Sequence, residues 1–172
     1  MATDKPITRE RILRILDSQA EKTARAIAGL DEATLNLPAR DDGWTAKEIL
    51  AHMASGHDGM LALAQSRIPV PHVSGGPAEQ MPGAFDLDAH NEAQRRRTRD
   101  LPLADVLVLL DQARQRVRTY VEQVDEADLN QIVHTPWMGD HPKGQFLIYP
   151  ALHEGGHRSE LEKWRAALAE KA

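Results

Sequence analysis

The sequence predicts an all-α fold, a four-helix bundle formed by one domain of 172 residues. Three observations support this prediction. Apolar residues recur every three or four positions in four long segments. No convincing series of alternating strand patterns separates those segments. A Pro- and Gly-rich stretch at residues 68–85 is too long for a simple bundle connection. It is expected to be either a crossover or a lid over a site, and the sequence favours neither.

The first helix is predicted over residues 6–30, where Ile12, Leu16 and Ile27 belong to a one-sided apolar stripe. Gly29 lies near its end. Residues 30–35 are expected to form a turn or a short helix.

The second helix is predicted to begin after Thr45 and to reach about residue 67. Thr45 and Glu48 form a capping box, in which each side chain accepts a hydrogen bond from the other residue's backbone N–H. His52 is predicted to lie at the edge of the apolar arc, beside Gly56 and Gly59. Helical glycines cost about 1 kcal/mol each relative to alanine, so space for a ligand or a close helix contact is expected here.

The third helical region is predicted from Asp86, with a break at Leu101–Pro102 because proline disfavours helix in the residue before it. It resumes over 103–124. A connection over 125–143 leads to the final helix at 144 to about 169. Pro150 predicts a kink in that helix.

His153 and His157 lie four residues apart on the final helix, so they project from one face. That spacing lets two imidazoles bind one divalent cation. Phe146, Leu161 and Trp164 continue the same stripe, which is expected to face the core. Two buried imidazoles need partners, and the pattern alone leaves a metal site and a purely structural role both open.

Charge and composition exclude several classes of protein. A net charge of −5 argues against a general nucleic-acid binder. The absence of cysteine excludes disulfides, catalysis by a protein thiolate and cysteine-based zinc sites. No apolar run approaches the roughly 18 residues of a membrane span. A cytoplasmic protein without a membrane or nucleic-acid partner is therefore expected.

Two short segments resemble signatures of the DinB-like superfamily of metal-binding four-helix bundles. Gly43–Met53 resembles the second-helix signature, and His153–Arg158 resembles the last-helix signature. Asp88–Glu92 and the break at Leu101–Pro102 lie where such proteins begin and divide their third helix. The resemblance implies a single DinB-like domain over 1–172.

The resemblance further implies that His52, His153 and His157 hold a divalent metal, zinc or nickel. Three imidazoles with an open position are typical of a catalytic site, where a bound water or thiol becomes more acidic. Family members include S-transferases that use low-molecular-weight thiols such as mycothiol or bacillithiol, and a thiol-dependent maleylpyruvate isomerase. The catalytic group is expected to be such a water or thiol, and no protein residue is assigned to that role.

The expected function is that of a divalent-metal-dependent enzyme, a thiol S-transferase or hydrolase acting on a small molecule. The alternative is a non-catalytic stress protein that binds a metal or small ligand. A third interpretation is a structural or dimerising bundle without metal, in which Tyr149 or Glu48 would hydrogen-bond the final helix's histidines. Relatives are often homodimers, so a homodimer is a further possibility.

His57, Asn91, Trp137 and Tyr149 are predicted to line the pocket. His57 lies about 140° round the helix from His52, so a hydrogen-bonded residue is favoured over a metal ligand.

Other polar residues near these segments are expected to be peripheral. Glu154 and Glu160 are predicted to face solvent or to support the ligands, and Glu48 could orient His52. His134 and His141, together with His90, are expected at the surface or at the pocket mouth.

Overall fold

In the computed structural model, which describes residues 6–65, 87–135 and 139–170, four long helices form the bundle. They are α1 (Arg9–Ile27), α3 (Ala46–Ala64), α5 (Leu103–Gln123) and α6 (Lys143–Ala169). Helix α3 packs against α5 and α6, and α1 packs against the same two helices. The predicted four-helix bundle is therefore confirmed.

Shorter elements connect these helices. Helix α2 spans Glu32–Leu35, and α4 spans Leu87–Thr98 and packs against α3. The predicted break is confirmed, since Pro102 occupies the N-cap position of α5. The predicted capping box of α3 is also present. The long segment at 68–85 lies outside the described residues.

A β-hairpin occupies part of the connection predicted over residues 125–143, a feature that the sequence pattern did not predict. Strand β1 (Ile132–Thr135) pairs antiparallel with β2 (Gly139–Pro142), and Val133 lies opposite His141. Each strand has four residues, too few to show a convincing alternating pattern. Gly139 adopts a φ of 77°, a conformation that glycine adopts without steric cost.

The apolar core is divided into two clusters by polar residues. One cluster joins the start of α1 and α6 to the ends of α3 and α5, with Ile12, Met60, Val117 and Phe146 among its members. The other joins the start of α3 and α5 to the end of α6, and it includes Leu50, Leu110, Leu161 and Trp164. Between them lies a central polar layer, formed by Thr23, His57, Arg114 and Glu154.

No helix in the described part of the chain combines the length and apolar character that a membrane crossing requires.

Candidate metal centre

Three histidines from two helices converge at one point. His52 on α3 and His153 and His157 on α6 each offer a ring nitrogen, and these three atoms all lie within 4.8 Å of one another. The Nε2 atoms of His153 and His157 are 3.2 Å apart. Two ligands of a tetrahedral zinc ion, each about 2.0–2.1 Å from it, are separated by about 3.3 Å. The spacing therefore fits two ligands of one cation.

The hydrogen bonds of these imidazoles are incomplete among the described residues. The Nδ1 atoms of His52 and His153 are buried and have no partner. A cation shared by the three rings would bind one nitrogen of each, and for His153 that nitrogen is Nε2, which faces His157, whereas its Nδ1 faces Gly56. Three imidazoles at this spacing form a donor set that fits a divalent metal.

In a metal-free bundle, Tyr149 or Glu48 would hydrogen-bond His153 or His157. These hydrogen bonds are not seen among the described residues. Tyr149 stacks on His153, with ring centroids 6.4 Å apart and an interplanar angle of 20°. Glu48 accepts a hydrogen bond from the backbone of Thr45 and pairs with two arginines, Arg95 and Arg99. The suggested role of Glu48 in orienting His52 is therefore not supported by its contacts.

Burial keeps two of these imidazoles, those of His52 and His153, neutral. Desolvation, reinforced by the nearby His157, lowers the pKa of His52 to about 4. Desolvation and the neighbouring His157 and His52 lower the pKa of His153 to about 3. Both rings are therefore unprotonated near pH 7, the form that binds a metal.

Glu160 orients the third histidine. Its Oε2 lies 3.1 Å from Nδ1 of His157, and it also lies 3.9 Å from Arg40. A carboxylate on the far nitrogen fixes the tautomer, so that Nε2 of His157 faces the other two rings with its lone pair. Of the two roles predicted for Glu160, the supporting one agrees with this contact.

Gly56 on α3 makes room for His153. A Cβ atom added at Gly56 would lie 2.6 Å from Nδ1 of His153, closer than any real side chain tolerates. A small residue near His52 is expected to leave space for a ligand or a close helix contact. Gly56 does so, and the ring of His153 occupies that space.

We expect Gly56→Ala to weaken cation binding about tenfold, because the new methyl group would displace the ring of His153. Gly156→Ala is the matched control, since a Cβ there meets no atom within 4 Å. The control should bind the cation normally and gain stability, as helical glycines are unfavourable by about 1 kcal/mol. Competitive zinc titrations on both variants test this, and equal affinities would contradict the role of Gly56.

Glu154 is not solvent-facing, because its exposure is only 1%. Its carboxylate accepts hydrogen bonds from Thr23 (2.6 Å) and His57 (2.9 Å), and it pairs with Arg114. Burial alone would raise its pKa, but the bonds from His57 and Arg114 outweigh this and lower the pKa of Glu154 to about 2. It is therefore an ionised carboxylate inside the bundle.

Sequence reasoning missed Thr23 and Arg114 as parts of this layer. The available signal was their position on inward-facing stripes. Arg114 lies between Leu110 and Val117 at helical spacing, and Thr23 lies seven residues after Leu16. Their pairing with Glu154 depends on three helices meeting at the same depth, which no single stripe predicts.

His57 is buried and bonded to Glu154, and it is not part of the histidine cluster. This agrees with the expected hydrogen-bonded residue. It lies in the core, however, and it is not among the described residues that line the cavity beside the site.

That cavity has a volume of about 400 Å³, and it opens beside His52. The described residues that line it come from the turn before α3, from α3 itself and from α4, and they are Arg40, Asp42, Trp44, His52, Asp88, Asn91 and Glu92. Asn91, predicted to line the pocket, is among these residues. Tyr149 contacts His153 instead, and Trp137 lies outside the described residues.

Trp44 forms a rigid wall of this cavity. Its ring packs edge-on against His52, with centroids 5.5 Å apart. The guanidinium groups of Arg40 and Arg95 lie 5.8 and 5.5 Å from the Trp44 centroid, within cation–π range.

The hairpin histidines do not join the site. His134 is exposed and pairs with Asp140. The ring of His141 lies 6.2 Å from that of Phe146.

Comparisons with known proteins agree with this arrangement. A family model described as the DinB superfamily matches residues 15–161. A protein of Geobacillus thermodenitrificans, named as a candidate metal-dependent hydrolase, is 30% identical over 108 residues. That match covers 63% of this chain and 56% of the relative, so the chain spans little more than half of that relative's length.

Two solved structures show the same fold. DfsB, described as a sibling lethal factor precursor, is 17% identical, with a TM-score of 0.73 over 95% of this chain and 98% of that chain. YfiT from Bacillus subtilis, described as a proposed metal-dependent hydrolase with an unusual four-helix bundle topology, is 14% identical. Its TM-score is 0.68 over 98% of this chain and 92% of that chain.

Proposed function

This chain belongs to the DinB superfamily, and we propose that it is a metal-dependent enzyme of hydrolase type that acts on a small molecule. The observation that carries the proposal is the convergence of His52, His153 and His157, with the Nε2 atoms of His153 and His157 at ligand spacing, beside a cavity of about 400 Å³. We assign these three residues as the ligands of a zinc or nickel ion, since neutral imidazole suits both metals.

The composition of the ligand set favours catalysis over a closed structural site. Among the described residues, no fourth histidine, aspartate or glutamate joins the three histidines. Three protein ligands leave a position for water or substrate. When bound, a divalent cation supplies Lewis-acid chemistry, polarising a carbonyl or lowering the pKa of a water or thiol.

The residues around the cavity favour a small polar substrate. Asp42, Asp88 and Glu92 offer carboxylates, while Asn91 can both donate and accept hydrogen bonds. Trp44 covers one side of His52 and limits the approach of water from that side. These groups would bind and orient a substrate against the imidazole cluster.

Transfer of a thiol to a substrate is the second candidate for the same site. The chain has no cysteine, so the thiol would have to come from a low-molecular-weight cosubstrate. The two candidates differ in one requirement, because hydrolysis needs only water.

The test begins with elemental analysis of protein purified without an affinity tag. Zinc- or nickel-loaded protein is then incubated with a panel of esters, amides and electrophiles, with and without thiols, and a chelator-treated sample is the control. Metal-dependent turnover without thiol is the expected result. Turnover only with thiol would replace hydrolysis by S-transfer, and metal binding without any turnover would favour the non-catalytic alternative. Absence of any stoichiometric metal would overturn both enzymatic candidates.

A further inference from the structure

The ionised carboxylate of Glu154 joins all the helices of the bundle. Thr23 belongs to α1, His57 to α3, Arg114 to α5 and Glu154 to α6. Each of the first three donates a hydrogen bond to Glu154, with Oγ1 of Thr23 at 2.6 Å, Nε2 of His57 at 2.9 Å and Nε of Arg114 at 3.1 Å. One side chain therefore connects one residue from each bundle helix.

The cluster is adjacent in sequence to the candidate metal ligands on both helices. His153 precedes Glu154 on α6, and Gly56 precedes His57 on α3. Gly56 makes the close approach to His153, and His57 makes the hydrogen bond to Glu154. Two neighbouring residue pairs therefore join α3 to α6. Gly56 provides space for His153, and His57 makes a directional hydrogen bond to Glu154.

A directional bond at this position limits sliding and rotation of α6 against α3. A shift of one residue along α6 moves a side chain about 1.5 Å along the axis and 100° around it. Such a shift would separate His57 from Glu154 and would also turn His153 away from His52. The bond and the ligand geometry therefore depend on the same helix register.

Stability does not explain why the chain keeps charged groups here. Glu154 is 1% exposed and pairs with Arg114, and buried ion pairs are often no more stabilising than apolar residues of similar volume. Buried polar groups are retained in some proteins because they specify one register. The location of this cluster, one residue from a ligand, fits that role.

We propose that Glu154 is a positioning residue for the metal centre, acting through His57, Thr23 and Arg114 to hold His153 within ligand distance of His52. This inference rests on the proposed metal site, but it assigns a role to residues outside the ligand set. Ligand geometry must be held within about 0.5 Å for function.

The test measures Co²⁺ binding, by titration and by the visible absorption spectrum, which reports coordination geometry. Glu154→Gln keeps the size of the side chain but removes its charge. We expect its Co²⁺ affinity to fall about tenfold, the scale seen when partners of metal ligands are removed, and its absorption band to change. Both readouts are taken where urea unfolding shows the variant to be fully folded.

Leu129→Ala is the stability-matched control. Leu129 is fully buried in the apolar cluster at the start of α6, and it belongs neither to the three-histidine cluster nor to the central polar layer. The control should lose stability and yet bind Co²⁺ with wild-type affinity and an unchanged spectrum. If Glu154→Gln behaves in the same way, the cluster is only structural and the proposal is wrong.

Thr23→Val is the milder second variant, because it keeps the side-chain shape and removes one donor to Glu154. It should bind Co²⁺ about two- to threefold more weakly, less than the 10–100-fold scale, because two of the three donors to Glu154 remain. If Glu154→Gln does not fold, this variant decides the question, and an unchanged affinity and spectrum would overturn the proposal.

The outcome for the wild-type protein separates this inference from the proposed function. Co²⁺ binding at the three histidines without turnover of any substrate would contradict the enzymatic proposal alone, since the positioning role is measured by affinity and spectrum. Failure of the wild-type protein to bind Co²⁺ would overturn both.

Discussion

Replacing His153 with asparagine is expected to weaken divalent-cation binding by at least about a hundredfold. Residues that only support a metal ligand change affinity by 10–100-fold when they are removed, and loss of a ligand should exceed that range. The ring centroid of His153 lies 4.9 Å from that of His52 and 4.5 Å from that of His157. Competitive zinc titration against a chromophoric chelator measures the change.

His134→Asn is the matched control for this prediction. It removes a histidine that is 75% exposed and distant from the cluster, so zinc affinity should not change. His52→Asn should show a loss similar to that of His153→Asn. If His52→Asn binds zinc as tightly as the wild-type protein, then His52 is not a ligand and the proposed three-histidine site is wrong.

Acidification is expected to destabilise the metal-free protein before its carboxylates are protonated. Burial lowers the pKa of His52 to about 4 and that of His153 to about 3, from a reference value of 6.5. Below pH 6.5 the unfolded chain therefore binds more protons than the folded protein, and stability falls as the pH falls. The contribution is complete above pH 6.5 and is lost towards pH 4 and then pH 3.

The expected loss of unfolding free energy between pH 7 and pH 5 is about 4 kcal/mol for the two imidazoles together, since one pKa unit corresponds to about 1.4 kcal/mol. Urea unfolding of chelator-treated protein at the two pH values measures it. His52→Asn should reduce this pH dependence, whereas His134→Asn should keep it. A wild-type protein equally stable at both pH values would contradict the assignment of buried, neutral imidazoles.

Bound metal should make the stability of the folded protein depend more strongly on pH. Protons compete with the cation for the imidazoles, so affinity falls at low pH. Any cation that binds only the folded state also raises its stability. Glu154 acts in a lower range, because its stabilising charge is present above pH 4.5 and is lost as the pH approaches about 2.

The helices were predictable because their signals are local. The capping box of Thr45 and Glu48 involves residues three apart, and the break before α5 follows from Pro102. The pair His153 and His157 could be found from spacing alone. His52 needed the family resemblance, because nothing local in α3 shows which residue of α6 it meets.

The role of Glu154 could not be predicted for a different reason. A glutamate at helical spacing from Leu161 is compatible with either solvent or core until the neighbouring helices are placed. Only the packed bundle brings Thr23, His57 and Arg114 to the same depth. The hairpin around Gly139 could not be predicted either, because each of its two strands is too short to be recognised in the sequence.

The central polar layer separates the two apolar clusters, and this separation affects how the protein tolerates substitution. Leu50 and Phe146 belong to different apolar clusters with no shared members. Distant sites without common neighbours usually contribute additively to stability. Substitutions at the two ends of the bundle are therefore expected to act independently on stability, with double variants showing the sum of the single effects.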